Sequence, residues 1–68
     1  MPPEKCQLCG IPIINVFVDC LVRIGPKQQG WADVCTTCHK KYGFGLGTGL
    51  GQEWWRNPTT DKFYKIDG

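Results

Sequence analysis

Five cysteines carry most of the chemical information in this 68-residue chain. Four of them form two pairs, Cys6-Gln7-Leu8-Cys9 followed by Gly10 and Cys35-Thr36-Thr37-Cys38 followed by His39, with twenty-five residues (10 to 34) between the pairs. Two residues between cysteines let one tight turn aim both sulfurs at a single ion. Two such turns brought together close a tetrahedron of thiolates around Zn²⁺. Gly10 suits the first turn, because a residue without Cβ tolerates the positive φ such turns tend to require and lets backbone N–H groups approach a bound sulfur. The gap is the right size for a strand, a turn and a returning strand. The spacing therefore predicts one structural Zn²⁺ held by Cys6, Cys9, Cys35 and Cys38.

Three other chemistries use the same residues. Cys35-x-x-Cys38-His39 has the letters of a c-type haem attachment site, but haem usually needs a second axial ligand and the only methionine is Met1. Four thiolates can hold iron as in rubredoxin, and the first pair suits it; the second pair has His39 where the matching glycine would stand. A redox dithiol normally sits at a strand-to-helix junction of a much longer βαβ chain. His39 directly follows a ligand, which makes binding to the same ion awkward, and it reads as a surface histidine. Cys20 reads as a free thiol beside a turn, so that Cys20→Ser should be tolerated.

A chain this short buries only about 60% of the surface its unfolded form exposes, so its core alone supplies little net stability and some staple is required. The composition agrees: 41% hydrophobic residues, nine glycines and five prolines. An odd cysteine count argues against a disulfide scaffold. Met1-Pro2-Pro3-Glu4-Lys5 does not open a signal peptide, and the apolar stretch Ile11 to Val18, broken by Pro12 and Asn15, is far below the roughly 20 residues of a membrane span. The expectation is a cytoplasmic protein with no membrane partner.

The elements that must position the cysteines follow from the pattern. Residues 1–5 are Pro-rich and expected to fray. Alternation from Ile13 to Asp19 is a strand signal, with Ile13, Asn15, Phe17 and Asp19 on one face and Ile14, Val16 and Val18 on the other. Asp19-Cys20 is expected to turn the chain into a second strand, Leu21 to Ile24; a loop over 25–30 and a short strand, Trp31 to Val34, lead to the second pair. One or two helical turns follow from Thr37 to Tyr42, with Gly43 as the stop. Glycine then stands at every second position from 43 to 51. That segment lacks the lysine and the spacing of a phosphate-binding loop, and it reads as an irregular loop tucking Phe44, Leu46 and Leu50 against the core. Residues 52–66 read as a hairpin around a Pro58-containing turn. The fold class predicted is a single metal-stabilised β domain over 1–68: a zinc ribbon of three short strands and two knuckles, with a Gly-rich loop and a C-terminal β-hairpin.

Trp31-Ala32-Asp33-Val34-Cys35-x-x-Cys38-His39-Lys40-Lys41-Tyr42-Gly43-x-Gly45-Leu46-Gly47-Thr48-Gly49-x-Gly51-Gln52, together with Phe17-Val18-Asp19, resembles a group of small, mostly uncharacterised zinc-ribbon proteins encoded by bacteriophages and prophages. The resemblance covers most of the chain from Cys6 onward. It implies a phage accessory protein acting in the host cytoplasm, with Cys6, Cys9, Cys35 and Cys38 as zinc ligands. Cys20 departs from it, since glycine is expected after Asp19.

The carboxylates (Glu4, Asp19, Asp33, Glu53, Asp61, Asp67) are scattered and a four-cysteine site is coordinatively closed, so the residues favour a non-enzymatic binding module. A protein partner is favoured by the Gly-rich loop, an exposed tryptophan and the absence of any run of like charge. The candidate contact residues are Trp54, Trp55, Arg56, Lys62 and Tyr64, where adjacent aromatics must face opposite ways along a strand. The alternative is single-stranded DNA or RNA, with bases stacking on these aromatics beside Arg56, Lys62 and Lys65. The formal charge of +2 does not support it. Four thiolates and one dication together remove two charges and leave the metal-bound protein neutral.

Overall fold

The β-branched run that follows Asn15 forms one long strand where two short ones are expected. The computed structural model describes residues 2–68; Met1, at the head of the segment expected to fray, lies outside them. In chain order the elements are β1 (Val16–Gly25), β2 (Gln28–Val34), α1 (Thr36–Tyr42), β3 (Gly51–Arg56) and β4 (Phe63–Asp67). Asp19 pairs with Asp33 on one side and Gln52 on the other, and Cys20 with Ala32 and Gly51. With both edges of β1 engaged there, the chain has no reason to turn. It reverses instead at Pro26-Lys27, after a register shift between Arg23 and Gly25.

The strands make one antiparallel sheet in the order β2-β1-β3-β4. Where three short strands and a separate hairpin are expected, β1 and β2 pair as one hairpin, and the C-terminal hairpin completes the same sheet because β3 takes up the open edge of β1. The hairpin turn is built on Asn57, whose side-chain oxygen accepts from the Thr59 N–H at 2.8 Å and whose own N–H donates to the Lys62 carbonyl at 2.7 Å. Such side-chain mimicry of a backbone turn is the usual reason for Asn at that place.

Alternation along β1 divides two environments. Val18, Cys20 and Val22 lie on one face with Val34, all fully buried, and pack with Cys6, Cys35 and Cys38. On the other face Phe17 is covered by Trp54, stacked at 6.3 Å, and by Phe63, edge-on at 4.9 Å. The alternation expected from Ile13 holds only from Val16. Ile13 belongs to the segment before the strand, where its N–H donates to the Glu4 carbonyl at 2.9 Å, and Lys5 bridges Pro12. Glu4 and Lys5 are thus tied to the domain, contrary to the fraying expected for them.

The Gly-rich loop folds back on itself through hydrogen bonds from the Gly47 N–H to the Gly51 carbonyl and from the Leu50 N–H to the Gly47 carbonyl. Gly45, Gly47 and Gly49 take positive φ, which accounts for glycine at every second position there. Gly51 is required for a different reason: a Cβ on it would lie 2.7 Å from the Cβ of Cys20, so only glycine lets β3 approach β1 at this register. Of the three apolar residues expected to tuck inward, only Leu46 packs against the core. Phe44 and Leu50 remain at the surface, Phe44 beneath the Arg23 guanidinium at 5.8 Å.

Candidate metal centre

The first knuckle closes through hydrogen bonds from the Gly10 N–H to the Cys6 carbonyl at 2.9 Å and from the Cys6 N–H to the Ile11 carbonyl at 2.8 Å, with Gly10 at φ +82°. The Cys9 N–H points at the Cys6 Sγ, 3.4 Å away. The second knuckle is the start of α1. Cys35 is its N-cap, with extended backbone, and the Cys38 N–H points at the Cys35 Sγ at 3.5 Å. A helix turn thus holds Cys35 and Cys38 at a fixed separation, while packing of α1 on β1 fixes their height above the sheet. Gln7 ties the first knuckle to the end of β2 that leads into the second: its N–H donates to the Asp33 carbonyl at 3.0 Å, and its side-chain oxygen accepts from the Asp33 N–H at 2.7 Å. Sequence reasoning gave Gln7 no role, and its place between Cys6 and Cys9 was the available signal.

This framework brings the four Sγ atoms within 4.8 Å of one another. Thiolates at about 2.3 Å from a tetrahedral ion are about 3.8 Å apart, and Cys9 and Cys35 stand at 3.7 Å. The donor set therefore fits a thiolate-bound metal ion. Cys6, Cys35 and Cys38 are buried and Cys9 is exposed, so the centre forms part of the core with one ligand at the surface.

The electrostatics point the same way. Burial opposes ionisation of Cys6, but N–H groups of Cys9, Cys35 and Leu8 outweigh it and hold the thiol at about 6, against an ordinary value of 9.0. Cys38 is pushed strongly upward, first by burial and then by hydrogen bonds to the other three sulfurs. Cys6 takes the charge and Cys38 resists it, a conflict that a dication removes. Cys20 stands outside the cluster, fully buried in mid-strand and with no turn beside it. Burial, helped by Asp19 and Asp33, pushes its thiol up to about 11. His39 lies outside the cysteine cluster, and it is not a simple surface histidine either. Half-buried, it sits with Nε2 2.9 Å from the Gly45 carbonyl, and a Cβ on Gly43 would strike its ring, so it anchors the Gly-rich loop to α1.

The five residues expected to meet a partner separate. Trp55 and Tyr64 are direct cross-strand partners beside Val16, exposed on the face that carries the metal centre. Trp54 lies half-buried on the opposite face against Phe17. Arg56 is committed within the fold. It pairs with Asp61 at 2.8 Å, donates through Nε to the Ile14 carbonyl and lies 4.7 Å from the Phe63 ring centre. Lys62 is exposed on the hairpin turn. On the face turned away from the metal centre Trp54 pairs with Lys65 and Phe63 with Arg56, so basic and aromatic residues alternate there, with Arg56 already engaged by Asp61 and Ile14.

Fold and site together define a small antiparallel β-sheet domain in which four clustered cysteines can bind a metal ion. Among the described residues no helix is long and apolar enough to cross a membrane. In comparison with known proteins, no family model matches the chain, and no curated protein or solved structure is significantly similar to it.

Proposed function

We propose that this is a zinc-ribbon accessory module, without catalytic activity, that folds around one Zn²⁺ and acts by binding another protein. The observation that carries the reading is the closed set of four Sγ atoms within 4.8 Å. Four thiolates select zinc or iron. Zinc is favoured because His39 stands where a rubredoxin-like second knuckle has glycine. Four protein ligands fill the coordination shell, so the ion supplies folding energy and no reactive position. The resemblance to phage-encoded zinc-ribbon proteins supports an accessory role in a bacterial host.

Protein binding is supported by Trp55, which is 42% exposed beside Tyr64 at 49%, on a row the domain leaves uncovered. Exposed tryptophan and tyrosine of this kind are the residues that most often dominate an interface. Nucleic acid is disfavoured by the commitment of Arg56 to Asp61 and Ile14. The test is capture from host lysate by tagged protein of measured metal content, with and without nuclease, beside a Trp55→Ala variant. One zinc per chain and nuclease-resistant capture of one protein, lost in Trp55→Ala, are expected. Nuclease-sensitive capture, or bound iron, overturns the corresponding half of the proposal.

A further inference from the structure

We infer that the sheet face opposite the metal centre is a docking groove for an arginine side chain of a partner protein. The groove is a cleft of about 480 Å³ whose lining includes Phe17, Asp19, Asp33, Trp54, Phe63 and Lys62. Its floor is the register of the sheet. Asp19 and Asp33 are direct partners across β1 and β2, both half-buried, and like charges placed opposite one another repel. The only ion pair among the described residues is that of Arg56 with Asp61, so neither carboxylate has a side-chain cation within ion-pair distance. Lys62 stands at the rim on an exposed turn.

The acidic pair lies between two apolar rows. One is Phe17 with its partner Trp54, closed by Phe63 edge-on. The other is Leu21 with its partner Trp31, whose side chain is 57% exposed. A small hard cation gains nothing from indole walls and prefers six or more oxygen ligands. A guanidinium gains from both parts of the groove: its planar fork bridges two carboxylates, and its faces stack on aromatic rings. Lysine offers a more strongly hydrated point charge without the fork, so arginine is the better occupant.

The inference takes from the proposed function only that the partner is a polypeptide; it concerns the face opposite Trp55. The test uses the zinc-loaded full chain, labelled with ¹⁵N and titrated with an acetylated, amidated Gly-Arg-Gly peptide, with the citrulline and lysine peptides as controls. Saturable shifts of the Trp31 and Trp54 indole N–H signals are expected for arginine, with the neutral citrulline isostere weaker by roughly tenfold or more, the scale of one charge-assisted contact. Asp19→Asn combined with Asp33→Asn is expected to weaken the arginine peptide by a similar factor while metal content stays unchanged. Should the double variant lose its fold, Asp19→Asn alone is expected to weaken binding severalfold. Equal binding of arginine and citrulline, indifference to the Asn substitutions, or shifts centred on Trp55 overturn the inference. Trp55→Ala must leave this titration unchanged even where it abolishes capture, so the two readings fail separately.

Discussion

Replacing Cys9 by serine separates the metal from the packing, because Cys9 is the one cysteine of the four that is exposed. Three of the nine buried core residues are the other site cysteines. Among the described residues, the buried side chains left to hold the sheet are Ile13, Phe17, Val18, Cys20, Val22 and Val34. A domain of this length has a net stability of about 3–10 kcal/mol. Structural zinc contributes about 10–16 kcal/mol of apparent binding free energy. Loss of the ion therefore exceeds the whole net stability, and it also leaves four sulfurs packed together without the ion that would bind them. Cys9→Ser, or wild type in excess chelator, is expected to lose its far-UV circular dichroism pattern, the tryptophan emission of the Phe17–Trp54 stack and any cooperative melt. Returning zinc restores the wild type alone. A Cys9→Ser protein shown by elemental analysis to be metal-free, yet melting cooperatively within a few degrees of the zinc-bound wild type, would refute the reasoning.

Four further outcomes follow from particular contacts. Gly51→Ala places a Cβ 2.7 Å from that of Cys20 and forces β3 off β1, at a cost of about 1–3 kcal/mol of overpacking, measured by thermal or urea unfolding of the zinc-bound protein. Arg56→Lys keeps the charge but loses the fork that reaches Asp61 and Ile14 together, and about 1–2 kcal/mol of stability is expected to go with it in the same unfolding assay. Cys20 is expected to resist iodoacetamide at pH 8 until chelator opens the domain, followed by mass spectrometry. Its folded thiol, raised to about 11 from 9.0, contributes stability that is full below pH 9 and is lost as pH rises through 11. Its burial also revises the tolerance expected of Cys20→Ser: a hydroxyl without a partner there costs about 1–3 kcal/mol, whereas Cys20→Ala avoids that penalty, a difference that paired unfolding curves resolve.

The two surfaces assigned to partners differ in kind. Trp55 and Tyr64 offer apolar area, whereas the opposite groove offers charge between aromatic walls. A polypeptide that meets both must wrap the edge strand β4, which carries Tyr64, while one that meets a single face leaves the other free.

By itself the sequence determined which four cysteines come together, the short helix that ends at Tyr42, the C-terminal hairpin and the opposite orientation of Trp54 and Trp55. All of these are local. Two-residue spacing fixes what one turn can aim at an ion, and a period of two fixes the parity of neighbours along a strand. Parity does not say which strand lies alongside, and there the tertiary structure decided. It carried β1 straight through Asp19 and Cys20, because β2 and β3 claim both of its edges, and so it buried a thiol expected beside a turn. It spent Arg56 on Asp61 across the hairpin turn and on the carbonyl of Ile14, forty-two residues away and adjacent only once the hairpin joined the sheet. It set Asp19 against Asp33, fourteen residues apart, through a register that neither residue specifies. The cysteine cluster was legible because its spacing repeats at short range. The surfaces were not, because a face belongs to a sheet and is created only by long-range pairing.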